Sequence, residues 1–212
     1  MAQRASSTIL DSQLPVGALV LAAGYSRRFG GDKLLAPLPG KQQLTVFKQM
    51  LDRLSLALDD ILIVTRPALY GTLLEYVEST KIQRPSCQIS ILSFDGSSDG
   101  MGASLAFAAR HVPNWRAALV CLADMPNIQT DSYSQILTAS SRDKIVLPTY
   151  EGKRGHPVAF GADFFDELRA LHGDQGARDL LTKHSGQITT LQLNDSGILF
   201  DIDTPTDLQR QS

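Results

Sequence analysis

Apolar residues follow two rhythms along this chain. Short, nearly continuous runs occur at Val16–Ala23, Asp60–Thr65, Gln88–Ser93, Ala117–Ala123 and Lys144–Pro148. Runs of this length, bounded by turn residues, predict buried strands. Between them the spacing changes to three and four. Leu44, Phe47, Leu51, Leu54 and Leu58 mark a helix over 44–58, and Leu69, Leu73, Leu74 and Val77 form the apolar face of a second over 68–79. Helices are also predicted over 103–110 and 131–140. Buried strands alternating with amphipathic helices argue for an α/β fold, a doubly wound, mainly parallel sheet with helices on both faces. The pattern is less regular after Tyr150. A short strand is expected at 158–160 and helices at 162–171 and 177–184. An antiparallel or edge pair is expected from 188–193 and 198–200. Thr204 is placed to cap a last helix that opens at Pro205.

Composition narrows the picture. The chain has 212 residues, 43% hydrophobic and 20% charged, with a formal net charge of -2. No bulk field for nucleic acid or an anionic membrane follows from that balance, so any anion site must be local. No apolar run approaches the roughly 18 residues of a membrane span. Residues 1–15 are polar, lack a signal-peptide core and read as a flexible tail, leaving 16–212 as a single domain. Cys87 and Cys121 are the only cysteines. Each sits in an apolar run, so buried free thiols and a reducing cytoplasm are expected.

The chemistry concentrates at the predicted carboxyl ends of strands, where ligands bind in doubly wound sheets. The first strand breaks at Gly24 into a loop bearing Ser26, Arg27, Arg28, Gly30, Gly31 and Lys33. Glycines let backbone N–H groups crowd an anion, and Arg and Lys supply countercharge, so the loop suits a polyphosphate. Gly100, Gly102 and Ser104 form a second small-residue loop, able to approach a ribose or base or simply to open a helix. Asp124 ends the most apolar run, next to a low-dielectric core, and wants a cation. It could cap the following helix, but beside a triphosphate loop it suits Mg²⁺, which takes one or two carboxylates plus substrate phosphates. Asp203 would be the second carboxylate, or a local turn former; Asp201 is the weaker candidate. Lys153, Arg154 and His156 lie in a glycine-bearing loop that is either solvated or a second anion site for an acceptor phosphate. Asp174, Arg178 and Asp179 read as surface pairs on one helix. No GxxxxGK[ST] loop, dinucleotide fingerprint, GxSxG elbow or zinc-ligand cluster is present, which disfavours those chemistries.

The segments LAAGYSRRFGGDKLL, GMGASL, LADMP, GHPVAF, GDQGARDLL and DIDTPTDL, spread from Val16 to Leu208, together resemble the molybdenum cofactor cytidylyltransferases among the NTP transferases. The resemblance implies a Rossmann-like fold with a small antiparallel or edge addition near the C-terminus. It implies CMP transfer from CTP to the phosphate of molybdopterin, with Mg²⁺ as cofactor and a molybdenum hydroxylase as recipient. On matching positions, Lys33 and Arg27 act on the triphosphate, and Asp124 and Asp203 hold the metal. The nucleotide set is Leu21, Ala22, Ala23, Gly24, Ser26, Arg27, Arg28, Gly30 and Lys33, with Gly100, Gly102, Ser104 and Asp124. Gly155, His156 and Pro157 face the acceptor. Ala23, where guanylyltransferase relatives carry glycine, and GMGAS both favour CTP over GTP. Phe29 replaces a common methionine. Two other functions compete: transfer to another phosphorylated acceptor, and a non-catalytic cofactor chaperone.

Overall fold

A computed structural model of the chain describes residues 14–174 and 176–210. The tail expected over 1–15 therefore lies almost wholly outside the described residues. Ten strands and seven α-helices are described. The first strand, β1 (Val16–Ala22), is central, parallel to β4 (Asp60–Thr65) on one side and β6 (Ala117–Leu122) on the other, with Leu19 opposite both Leu62 and Val120. A strand paired on both edges and covered on both faces has no polar surroundings, which is why its residues form an almost unbroken apolar run. β5 (Gln88–Ser93) closes one edge, parallel to β4.

The other side of the sheet changes direction. β9 (Val158–Gly161) runs antiparallel to β6 and to β7 (Ile145–Tyr150), the two-residue β8 (Lys153–Arg154) folds back on β7, and β10 (Ile188–Gln192) takes the far edge. The order is β10-β7-β9-β6-β1-β4-β5. The mainly parallel, mixed sheet expected from the sequence is thus present. In detail, β10 pairs parallel with β7, and Ile198–Leu199 belong to a 3-10 turn rather than a strand. Strand direction depends on distant partners, and the local pattern does not carry it.

Alternation along the strands sorts the core into two layers. Ala18 and Val20 pack with α1 (Val46–Ala57), α2 (Pro67–Gln83) and α4 (Thr130–Ala139). Leu19 packs with α3 (Met101–Arg110), α5 (Phe165–Arg169) and α6 (Arg178–Lys183). The first helix is shorter than its periodicity suggested. Leu44 belongs to β3 (Lys41–Thr45), which pairs antiparallel with β2 (Pro37–Leu38), and Thr45 caps α1 by accepting from the Lys48 N–H at 3.3 Å. In α2, Thr80 joins Leu69, Leu73 and Val77 on the buried face while Leu74 stays half-exposed. The last helix, α7 (Pro205–Gln209), begins at Pro205 with a Thr204–Asp207 capping box. Cys87 and Cys121 are buried free thiols. Among the described residues, no helix is long and apolar enough to cross a membrane.

Candidate active site

The carboxyl ends of β1, β6 and β7 open into a cleft of about 1020 Å³. One wall is the loop that leaves β1. The Phe29 N–H donates to the Ser26 carbonyl at 2.9 Å, and Ser26 and Gly30 adopt φ values of +50° and +76°. This tight reversal puts Arg27 and Arg28 at the mouth and returns the chain so that Lys33 is buried. The loop is braced from outside. The Arg66 guanidinium sits 5.4 Å from the centre of the Tyr25 ring and pairs with Asp32, and Ser97 Oγ donates to Tyr25 Oη at 3.2 Å.

Lys33 Nζ lies 2.6 Å from Asp124 Oδ2 and 3.1 Å from Asp203 Oδ1. Arg28 reaches the other oxygen of Asp203 at 2.8 Å. Segments about 90 and 170 residues along the chain from the loop therefore meet at one ammonium. Burial opposes the charge on Lys33, but Asp124 and Asp203 beside it outweigh burial and raise its pKa, so it stays protonated. Burial raises the pKa of Asp124, with Lys33 only partly opposing it. Asp124 Oδ1 is buried and has no hydrogen-bond partner.

The Ile202 N–H donates to the Asp124 carbonyl at 3.0 Å, stitching 201–203 beside the end of β6. Ile202 is fully buried, and alternation then turns Asp201 and Asp203 to the same side. One ligand oxygen from each of Asp124, Asp201 and Asp203 lies within 4.8 Å of the others. Asp201, ranked behind Asp203 on sequence, thus stands beside it; the alternation of DID was the available signal. Three carboxylates, one with an orphaned buried oxygen, fit a hard divalent cation that binds through oxygen. The alternative tasks fall elsewhere. Asp195, not Asp124, serves the start of α4, accepting from Gln129 N–H at 2.8 Å and Ser132 Oγ at 2.7 Å. Asp207, not Asp203, closes the turn before α7.

The cleft is lined by Leu21, Ala22, Ala23, Gly24, Ser26, Arg27, Arg28 and Lys33 of the first loop, together with Gly100, Ser104, Asp124, Gly155 and His156. Gly30, Gly102 and Pro157 do not line it. Gly102 lies behind the wall, its N–H donating to the Gly173 carbonyl at 2.7 Å. A Cβ on Gly100 would come within 2.4 Å of Asp174 Oδ1, and one on Gly102 within 2.6 Å of the His172 carbonyl oxygen. Close packing of α3 on the 172–174 turn therefore suffices to require both glycines. Tyr25, Ser97, Met101 and Arg178 also line the cleft, and composition alone gave no signal for them. Arg178 makes no ion pair with Asp174 or Asp179 among the described residues, unlike the surface pairing expected. The Gly155 and His156 N–H groups donate to the carbonyls of Pro148 and Ile198, each at 2.9 Å. Burial lowers the pKa of His156 despite the nearby carboxylates of Asp124 and Asp201, and its Nδ1 is buried without a partner.

A mainly parallel, mixed sheet with a cationic loop and a carboxylate cluster at one edge suits a nucleoside triphosphate bound with a divalent cation. A family model described as the MobA-like NTP transferase domain matches residues 18–188, and the chain belongs to that family. A purine catabolism protein, PucB, from Bacillus subtilis (strain 168) is 32% identical over 191 residues, covering 87% of this chain and 90% of that one. Rv0371c from Mycobacterium tuberculosis H37Rv superposes with a TM-score of 0.73 at 25% identity over 93% of this chain and 97% of that one. The same protein has been solved in complex with manganese, with a TM-score of 0.69 and 25% identity over 92% of this chain and 97% of that one. A nucleotidyl transferase from Methanothermobacter shares the fold, with a TM-score of 0.76 at 20% identity over 93% and 95%. The chain is a nucleotidyltransferase of the MobA-like type, which takes a nucleoside triphosphate as substrate.

Proposed function

We propose that this protein transfers CMP from CTP to the phosphate of molybdopterin, releasing pyrophosphate. The observation that carries the reading is the Lys33 ammonium held between Asp124 and Asp203 beneath a glycine- and arginine-bearing loop. CTP is favoured by Ala23 and the GMGAS segment, and the 1020 Å³ cleft has room for a second substrate beside the nucleotide. An oxygen of the acceptor phosphate attacks the α-phosphorus, the bond to the bridging β-phosphate oxygen breaks, and pyrophosphate leaves. The nucleophile is already an anion, so no proton need move. Arg27 and Lys33, with loop N–H groups, neutralise the triphosphate and the departing pyrophosphate. Gly155 and His156 shape the acceptor side. Mg²⁺ held by Asp124 and Asp203, with Asp201 beside them, would withdraw charge from the phosphate oxygens when bound. Catalysis by these residues is positioning and preorganised electrostatics. In this reading the recipient is a molybdenum hydroxylase in the cytoplasm; one relative is named for purine catabolism.

The test is pyrophosphate release with Mg²⁺, molybdopterin and each of CTP, GTP, ATP and UTP, alongside thermal shifts with the same nucleotides. CTP should be the one that both stabilises the fold and turns over. Turnover with GTP instead would make the protein a guanylyltransferase, and molybdopterin binding without pyrophosphate release would make it a carrier.

A further inference from the structure

Among the described residues, Tyr25, Leu56, Ile82 and Met101 are the large hydrophobic side chains left exposed. Leu56 and Ile82 lie away from the cleft, near the C-terminal ends of α1 and α2, whereas Tyr25 and Met101 line it. A lone exposed apolar side chain is ordinary on a protein surface, but two in one concave site offer a ligand apolar contact there. Tyr25 is also held in place. The Arg66 guanidinium sits 5.4 Å from its ring centre, and Arg66 is itself paired with Asp32. Ser97 Oγ donates to the Tyr25 hydroxyl oxygen at 3.2 Å. These contacts tie the ring to the end of β4 and to the 3-10 turn Asp95–Asp99, so it loses little freedom when a ligand packs on it. Met101 opens α3 just beyond that turn, and its thioether is a soft, polarizable partner for a flat ring.

We infer that Tyr25 is the platform on which the base of the nucleoside triphosphate stacks, with Met101 as a second apolar contact for the same ring. The inference rests on the proposed function and deepens it by naming the residues that meet the cytosine. Tyr25 belongs to the loop that carries Arg27, Arg28 and Lys33. A nucleotide with its phosphates on that loop keeps its base, one ribose away, beside the same loop. Stacking uses the face of a base and is indifferent to its hydrogen-bonding edge. Tyr25 therefore supplies affinity for the base, while the choice of cytosine stays with Ala23 and the GMGAS segment. The competing role for Tyr25 is a brace that only holds Arg27 and Arg28 in place, and a brace would act on the phosphates rather than on the base.

The experiment is calorimetric titration of CTP, GTP and inorganic tripolyphosphate, each with Mg²⁺, into wild-type protein and the Tyr25→Phe, Tyr25→Ala and Met101→Ala variants. Tripolyphosphate presents the phosphate charges without a base. Circular dichroism reports that each variant is folded. The expected result is a rise of about tenfold or more in the CTP Kd for Tyr25→Ala and a several-fold rise for Met101→Ala, with Tyr25→Phe close to wild type and the tripolyphosphate Kd unaltered throughout. In Tyr25→Trp, CTP should quench the indole emission and tripolyphosphate should not; the native Trp115 is buried in the core, and its signal is subtracted with the wild-type titration. Equal loss of CTP and tripolyphosphate affinity in Tyr25→Ala would overturn the assignment and reduce Tyr25 to a brace. So would unchanged CTP affinity in either alanine variant, or emission that CTP leaves unquenched. Binding of GTP in place of CTP, with the same dependence on Tyr25, would remove the nucleotide of the proposed reaction and leave the platform standing.

Discussion

The two walls of the cleft handle charge in opposite ways. On the β1 side, Lys33 is buried between two carboxylates, Arg28 is paired with Asp203, and Arg66 is paired with Asp32. On the β7–β10 side, Arg154 and Arg178 are exposed and unpaired among the described residues, and burial suppresses the charge on His156. The first wall is preorganised. Lys33 is fixed between its two acids before any ligand arrives, in buried surroundings where a charge acts strongly because little water screens it, whereas Arg28 pairs at the exposed mouth. The second wall keeps its donors free, where they can select a ligand but are screened by salt. In the proposed reaction, phosphoryl chemistry falls to the first wall and contact with the acceptor to the second.

Asp124→Asn breaks the first wall most directly. It should lower the rate of pyrophosphate release by about 10²–10³. The fold should survive, because Lys33 keeps Asp203 and the substitution removes a carboxylate whose charge burial disfavours; circular dichroism and the melting midpoint read this. Wild-type-like turnover would end the division of labour.

Asp195→Ala attacks the second half through its scaffold. Asp195 is buried and accepts from Gln129 N–H, Ser132 Oγ and Gly197 N–H, tying α4 to the turn that carries Ile198. Leaving those donors unmet should cost about 3 kcal/mol in a urea unfolding titration. If the loss is below about 1 kcal/mol, a typical net value for one hydrogen bond, the tie is not what holds this half in place.

Lys33→Met sharpens the comparison. It leaves Asp124 without a cation and Asp203 with only the exposed Arg28. The part-buried setting gives a loss of about 2 kcal/mol, less than the removal of one partner from a fully buried pair costs. That equals a fall of about 4–8 °C in the melting midpoint for a chain of this size. Millimolar Mg²⁺ or Mn²⁺ should restore much of it, since a divalent ion can take the ammonium's place between the acids. A midpoint unaffected by metal would sever the acid cluster from metal binding.

The smallest effect is on pH dependence. The pKa of His156 is lowered in the fold, so the neutral ring is favoured there. Its contribution to stability is therefore fully present above the ordinary imidazole value of about 6.5 and is lost as pH falls below it through the folded value. Melting curves taken from pH 8 to pH 5 should show a decline in wild type that is shallower in His156→Gln. Parallel curves would mean that His156 is not the buried group governing this window.

Much of the fold was legible because its strands are unusually plain. Asp60–Thr65 and Gln88–Ser93 stand as apolar runs between turn residues, and their bounds in the structure are those of the runs. The start of α1 was harder. Leu44 continues the helical spacing but sits in a two-stranded ribbon, and only pairing with β2 tells the two apart. For the candidate site, the cationic loop and the acids at 124 and 203 announced themselves as charge beside apolar strand ends. Asp201 was signalled only by the alternation of DID, and its facing was fixed when Ile202 entered the core. Arg178 carries helix-spaced acids beside it and reads as a surface pair, yet it lines the cleft.

The order of residues alone settled the class of fold and pointed to the cationic loop and the acids worth watching, since each depends on local spacing and on charge set beside apolar runs. Which acids share one cation, which arginines stay free, which way β10 runs and why Gly100 and Gly102 must lack side chains were decided only when distant segments packed. Those outcomes depend on contacts between residues tens to hundreds of positions apart, and no local pattern encodes them.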